Sequence, residues 1–299
     1  MDQDNSHIFR EHKRRFDQNR YVYPVVSRRS RGVSIGVNLS PGKICNYRCV
    51  YCQVDRDEST RNTPDDAKSS PGGKLRVDID LLRSELEETV ALTTDGRLFE
   101  QLPFSRTPDA LRRFNDIAFS GDGEPTLCPQ FGEAVEIASE IRKRLAPDSV
   151  KLVLITNATR LDRPQVSAAL DVMDCNNGEI WAKLDAGTQE YHQRVLRSNV
   201  TLDRVVSNIS EAAKCRPIVI QTLFLKMQDE SPSKSEIQAY IRRLQEIQND
   251  GGLIKLVQVH TIARAPSEVW ATSLPNEELD AIVDRIREET GLTVEGYYG

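Results

Sequence analysis

Histidine is scarce in this chain of 299 residues: there are four, and no HExxH zinc motif is among them. A metal-carboxylate centre and a Ser-His-Asp arrangement therefore find no support. Apolar runs long enough to cross a bilayer are absent, as is a signal-peptide pattern at the start, and no membrane partner is expected. Positive charge is not in excess. With 40 Lys and Arg against 45 Asp and Glu the net charge is −5, which removes any bulk pull toward nucleic acid and leaves only a local basic patch open. There is neither an internal repeat nor a low-complexity domain. A disulfide framework is missing too, because three of the six cysteines crowd into residues 45–52. Thiolates that act as ligands need a reducing compartment, so a cytoplasmic location is expected.

What is present suffices for a sizeable core, at 38% hydrophobic and 28% charged residues. The length would hold two ordinary domains, but α/β barrels of this size are commonly one. Residues 1–31 read as a basic N-terminal arm, with Arg10, Lys13, Arg14, Arg15, Arg20, Arg28, Arg29 and Arg31, and residues 32–299 as a single core domain. Within the arm, 21–26 suits an edge strand, since Pro24 would interrupt a central one. Residues 55–74, rich in Asp, Ser, Thr, Pro and Gly, predict a mobile surface connection. Ile79, Leu82, Leu86 and Val90 fall at helical intervals over 75–92, whereas 93–115 shows no steady period.

Beyond that point the pattern alternates. Strands are predicted over 116–120, 150–155, 180–184, 217–225 and 253–262, and helices over 131–145, 164–173, 190–196, 202–213, 234–248 and 276–289. Counting 33–39 there are six strands, and their βα order implies a parallel, curved sheet with right-handed crossovers. Six units are too few to close an eight-stranded barrel. The expected fold class is thus α/β, a partial (β/α)6 TIM-like barrel, with 292–297 adding a small strand.

Sites in parallel α/β folds form at the C-terminal ends of strands. The first strand is followed by Cys45-Asn46-Tyr47-Arg48-Cys49-Val50-Tyr51-Cys52, a CxxxCxxC spacing that can turn three thiolates onto one small metal object. A closed zinc site wants four ligands, while a cubane iron–sulfur cluster held by three keeps one iron open. A partial zinc knuckle, or three unrelated buried thiols, remain the alternatives. The second strand is followed by Ser120-Gly121-Asp122-Gly123-Glu124-Pro125-Thr126, where glycine lets backbone approach a ligand closely. The third ends at Thr156-Asn157-Ala158, the fourth at Lys183-Leu184-Asp185, and the fifth contains Gln221 and Thr222. Lys183, Asp185, His260 and Arg264 are the candidate acids and bases at the mouth. Cys128, Cys175 and Cys215 are single and widely separated.

CxxxCxxC ending in an aromatic–Cys pair resembles the cluster loop of the radical S-adenosylmethionine (radical SAM) enzymes. The resemblance implies a 4Fe-4S cluster on Cys45, Cys49 and Cys52, and S-adenosylmethionine chelated to the fourth iron through its methionine amino and carboxylate groups. It also implies reductive cleavage to a hydrogen-abstracting 5′-deoxyadenosyl radical, driven by an external one-electron donor such as a flavodoxin or ferredoxin. Gly121, Asp122, Gly123 and Glu124 resemble the family's Gly-Gly-Glu-Pro element, with Glu124 buttressing it. Tyr51 resembles the aromatic near adenine, and Asn157, Lys183, Asp185 and Gln221 are expected at the ribose and carboxylate. His192 and Arg197 stand where many family chains carry His-Asp and Arg-Gly, but here the pairs are His-Gln and Arg-Ser. Gly-Asp-Gly-Glu-Pro-Thr-Leu, Trp181 to Gly187 and Val257 to Thr261 resemble the uncharacterised iron–sulfur oxidoreductases near the wybutosine-synthesis enzymes. The expected substrate is a small molecule or peptide. An RNA-modifying radical SAM enzyme is the alternative, against which stand the acidic charge and the missing second cysteine group. A non-catalytic metal- or cluster-binding module is the alternative of another class.

Overall fold

The computed structural model describes residues 16–54 and 76–299. Arg10, Lys13, Arg14, Arg15 and the expected connection over 55–74 lie outside the described residues. The described chain forms two compact units: 16–44, 76–155 and 164–179 in one, and 45–54, 156–163 and 180–299 in the other.

In the first unit the strand order is β1 (Val22–Ser27), β2 (Gly32–Val37), β3 (Phe114–Phe119) and β4 (Lys151–Thr156). β1 runs antiparallel to β2, and β2, β3 and β4 are parallel. Pro24 therefore sits on an edge strand, where its missing N–H costs no ladder bond. Gly36 faces Tyr23, whose ring a Cβ would meet at 2.3 Å. The approach to β1 is fixed by a buried carboxylate: Glu85 accepts the amides of Arg20, Tyr21 and Val22 at 2.7, 2.8 and 3.1 Å. Glu85 lies on α1 (Ile79–Thr94), which buries Leu82, Leu86 and Val90 and starts where Asp78 caps the Leu81 amide at 3.1 Å. The aperiodic 93–115 stretch holds three single 3-10 turns, too short to display a period. Its Leu98 and Phe104 pack with Val26 and Val33. α2 (Phe131–Leu145) and α3 (Pro164–Asp174) complete this unit.

The second unit carries β5 (Gly178–Lys183), β6 (Ile218–Leu223), β8 (Ile254–His260) and β10 (Val294–Tyr297), parallel and in that spatial order. Its helices are α4 (Gln189–Leu196), α5 (Leu202–Cys215), α6 (Lys234–Asn249) and α7 (Asn276–Thr290). One expectation is corrected here. The single strand predicted over 217–225 ends at Leu223, whose amide leaves the ladder for Asp185 Oδ1 at 2.8 Å. After buried Phe224 the chain enters β7 (Leu225–Met227), which pairs antiparallel with β9 (Ala271–Ser273) in a separate two-stranded sheet. All six predicted βα strands are present, and the fold class is α/β with a mostly parallel sheet.

Candidate active site

The cysteine loop is held by its backbone. Arg48 and Val50 donate their amides to Leu196 and Val195 carbonyls at 2.9 Å each, and these are the last residues of α4. A helix leaves its final carbonyls without intrahelical donors, so alternate loop amides supply what α4 lacks. Within the loop the Cys52 amide turns back to the Cys49 carbonyl at 3.0 Å, and the Ser267 amide takes the Cys52 carbonyl at 2.8 Å. Tyr47, buried between the first two cysteines, meets the His192 ring edge to face at 5.7 Å.

None of the three cysteines is in a disulfide, and each is half-buried. Burial pushes the Cys49 thiol up to about 12; Lys183 opposes that rise, while Asp185, Cys52 and Cys45 add to it. Three thiolates so placed need an offsetting cation, which is what iron supplies. One backbone and one side-chain amide also aim at sulfur: the Tyr47 amide lies 3.4 Å from Cys45 Sγ, and Asn157 Nδ2 lies 3.9 Å from it. Such N–H···S contacts favour the ionised ligand. Among the described residues no three His, Cys, Asp or Glu side chains converge as ligands of a single metal ion. Three thiols on one loop are soft donors of the kind that iron–sulfur clusters take.

Asp185, 1% exposed, is the hub of the neighbouring polar group. Its Oδ2 accepts the Tyr51 hydroxyl at 2.5 Å and lies 3.6 Å from Lys183 Nζ, while Oδ1 takes the Leu223 amide. Lys183 Nζ in turn sits 4.8 Å from the centre of the Tyr51 ring. Burial, then the Asp185 charge, drives the Tyr51 phenol well above its ordinary pKa, so it stays a donor. Tyr51, Lys183 and Asp185 are thus one constellation. Asn157 belongs with the cysteine loop: Nδ2 donates to Asn46 Oδ1 at 2.7 Å, and Oδ1 accepts from Thr159 Oγ1 at 2.8 Å. Gln221 is buried and donates to Gln258 Oε1 at 3.1 Å.

The glycine loop is built in the first unit. Asn38, just past β2, donates to Asp122 Oδ2 at 2.7 Å and accepts the Asp122 amide at 3.3 Å. Gly121 has φ +156°, and an added Cβ would fall 2.4 Å from Asn38 Oδ1. At Gly123 a Cβ would fall 2.0 Å from the Ile44 carbonyl oxygen, which also accepts the Glu124 amide at 3.0 Å. Ile44 directly precedes Cys45. Glu124 is buried and turned onto its own loop, taking the Thr126 amide and hydroxyl at 3.2 and 2.6 Å.

Other expected residues are committed elsewhere. His192 Nε2 meets the Val200 carbonyl at 3.0 Å, and burial lowers its pKa. Arg197 is paired with Glu268 and lies 5.8 Å from the Trp270 ring. Arg264 reaches Gln53 at 3.2 Å, and His260 stacks on Tyr297. Cys128 is buried, whereas Cys175 and Cys215 are exposed. Asn38, Asn46, Tyr47 and Gln258 were not singled out from sequence. A polar side chain at a strand end, the signal used for Asn157, marks Asn38 equally.

The sequence model of the radical SAM superfamily matches residues 39–235, and the chain belongs to that superfamily. Membership implies a 4Fe-4S cluster and S-adenosylmethionine as cofactors, and the chain spans about a third of the length of the first curated relative it matches. Among curated proteins it is 25% identical over 270 residues to the GTPase Obg of Brachyspira hyodysenteriae, covering 90% of this chain but 33% of that one. It is 24% identical over 263 residues to a UPF0026 protein of Helicobacter pylori, covering 86% and 70%. Among solved structures, Streptococcus suis SuiB bound to S-adenosylmethionine aligns with a TM-score of 0.54 at 11% identity, covering 86% of this chain and 48% of SuiB. Archaeal TYW1 aligns at 0.45 and 11%, covering 97% and 77%. The SuiB likeness agrees with the partial-barrel fold. No helix among the described residues is long and apolar enough to cross a membrane.

Proposed function

We propose that this chain holds a 4Fe-4S cluster on Cys45, Cys49 and Cys52 and cleaves S-adenosylmethionine reductively, to take hydrogen from a small-molecule or peptide substrate. The observation that carries the reading is the cysteine loop: three thiols, none in a disulfide, stand within eight residues of a loop pinned by backbone bonds at Arg48, Val50 and Cys52. When bound, the cluster supplies one electron to the sulfonium and so yields a 5′-deoxyadenosyl radical. The protein's own part is to bind, orient and exclude water. Gly121, Asp122 and Gly123 offer backbone to the methionine end, and Glu124 stiffens that loop from within. Tyr51 faces the adenine, while Lys183 and Asp185 serve the ribose and carboxylate. Asn157, its amide engaged by Asn46 and Thr159, acts by holding the surroundings of Cys45. A flavodoxin or ferredoxin in the cytoplasm supplies the electron.

Anaerobically reconstituted protein should carry about four irons and four sulfides per chain. Cys45→Ala, Cys49→Ala or Cys52→Ala should remove the brown chromophore, and Cys175→Ala or Cys215→Ala should not. With dithionite the protein should release 5′-deoxyadenosine and methionine. A colourless protein with one zinc would overturn the cluster reading, and fully clustered, reduced protein that releases neither product would overturn the activity.

A further inference from the structure

Four strands of the second unit carry a polar row in register. Lys183 on β5 stands beside Gln221 on β6, Gln221 beside Gln258 on β8, and Gln258 beside Glu295 on β10. Register partners share a face and successive residues alternate. The intervening residues Ile220, Val257, Val259 and Val294 are buried and apolar, and a Cβ at Gly296 would lie 3.4 Å from Val283 of α7. That face packs on helices, so the polar row is on the other, inner face. Two residues further along the same face, His260 and Tyr297 are in register and stack at 4.7 Å with 15° between their rings.

At the centre of the row Gln221 and Gln258, 4% and 2% exposed, share one hydrogen bond of 3.1 Å. Each amide has both a donor and an acceptor end. Their single bond leaves Gln221 with its carbonyl oxygen and Gln258 with its amino group, neither bonded to another described residue. Rotating both amides exchanges the two labels and leaves the same pair, one acceptor beside one donor. Neither of those two atoms is itself sealed from solvent although both side chains are largely buried, so the edge stays open to a ligand that completes it. By strand spacing the two amides lie about 5 and 10 Å across the sheet from Lys183. Lys183 in turn covers the ring of Tyr51, the residue before Cys52.

We infer that Gln221 and Gln258 are the substrate-recognition edge, and that the substrate is a small planar heterocyclic amide, with a ring N–H beside a carbonyl. The acceptor and donor of the edge match that group in both directions, and the stacked His260 and Tyr297 give it a flat wall. Gln221 then serves the substrate and not S-adenosylmethionine. A free heterocycle suits the face better than RNA, because its one lysine is already paired with Asp185. The inference rests on the reading of this site as a radical SAM reaction chamber.

Calorimetric titration of anaerobic, reconstituted protein with S-adenosylmethionine present tests it, with uridine and inosine as probes. Both should bind. 3-Methyluridine and 1-methylinosine, which lack the ring N–H, should bind the wild type at least about tenfold more weakly. Gln258→Met should weaken uridine and inosine to a similar degree, with thermal unfolding to show that the variant is folded. The methylated probes need no variant, so the test survives a misfolded Gln258→Met. Equal binding of parent and methylated nucleosides would overturn the inference. So would no nucleoside binding, or salt-sensitive binding of a 20-nucleotide RNA alone. If the same preparation releases 5′-deoxyadenosine, such a result sinks the recognition edge and leaves the proposed chemistry standing.

Discussion

Alanine at position 123 tests the glycine loop with a single carbon. The new Cβ would lie 2.0 Å from the Ile44 carbonyl oxygen and 2.6 Å from Ser40 Cβ, where real contacts essentially never fall under 3.0 Å. Neither neighbour is the far end of a flexible side chain, so backbone must move by about 1 Å to reach even that limit. The carbonyl that has to move also accepts the Glu124 amide at 3.0 Å. Overpacking costs about 1–3 kcal/mol, and a lost backbone hydrogen bond about 0.5–1.5 kcal/mol. Gly123→Ala should therefore destabilise the protein by about 2–4 kcal/mol. Gly123 does not occupy the left-handed region, so the cost is space and not torsion. Because Ile44 is joined to Cys45, the displacement passes along the chain to the first cysteine. Iron content should fall together with S-adenosylmethionine cleavage. Urea unfolding measures the first effect, with the slope checked for two-state behaviour; iron and sulfide analysis and 5′-deoxyadenosine release measure the others. A Gly123→Ala protein that keeps full stability and full iron would refute the reasoning.

Gly132→Ala is the matched control on α2: a Cβ there meets nothing within 4 Å, so stability should rise by up to about 1 kcal/mol in the same urea assay. Burial pushes the Asp116 carboxyl up to about 6 despite the opposing bond from Ser34, against about 3.9 in an unfolded chain. The folded state holds that proton more tightly, so this contribution is complete below about pH 4 and is lost as pH rises through 6. The difference between wild type and Asp116→Asn across that window should be about 2–3 kcal/mol, read from unfolding curves, and a flat difference would sink the assignment. Glu85→Ala removes the acceptor for three amides at the start of β1 and should cost about 2–4 kcal/mol, with hydrogen exchange of Tyr21 and Val22 rising in the native state. Asp185→Ala leaves Lys183, the Tyr51 hydroxyl and the Leu223 amide without their acceptor and should cost about 3–5 kcal/mol. Asp185→Asn, which keeps a carbonyl oxygen for Leu223, should cost less in the same measurement.

The cysteine spacing, the glycine loop and the order of six βα strands were legible because each is a local pattern. A three-residue interval between thiols, or a period of 2 giving way to 3.6, needs no knowledge of distant residues. The long strand over 217–225 was misread for the complementary reason. Its apolar run continues through Phe224 and Leu225, but a carboxylate at position 185 captures the Leu223 amide, and after Phe224 donates to the His260 carbonyl at 2.9 Å the chain passes into a separate sheet. Nothing within the run announces a partner 38 residues away. Tyr51, Lys183 and Asp185 were each picked singly, yet their joining into one group depends on pairing across 134 positions of sequence. The row from Lys183 to Glu295 is of the same kind: four polar residues on four strands become a row only when the register is known.

Capping and helix ends also settle where the His192 and Arg197 side chains go. α4 has eight residues and is fixed at both ends. At its start Thr188 caps the Tyr191 amide, and Glu236 of α6 takes the Gly187 and Thr188 amides and the Thr188 hydroxyl at 2.5, 3.3 and 2.5 Å. A carboxylate at that end also opposes the positive pole of the helix. At its finish the carbonyls of Val195 and Leu196 take the cysteine-loop amides. His192 lies between, with Nε2 on Val200 and its ring against Tyr47, so it braces the loop from below. Arg197, in the left-handed conformation at the C-cap, turns outward to Glu268. Arg197 is thus engaged, while His192 Nδ1 is buried with no hydrogen-bond partner among the described residues. Arg48 is exposed, and Arg264 is bonded to Gln53 on an exposed side. Lys183, with its side chain 21% exposed and its ammonium over Tyr51, is the residue proposed above for the cofactor carboxylate.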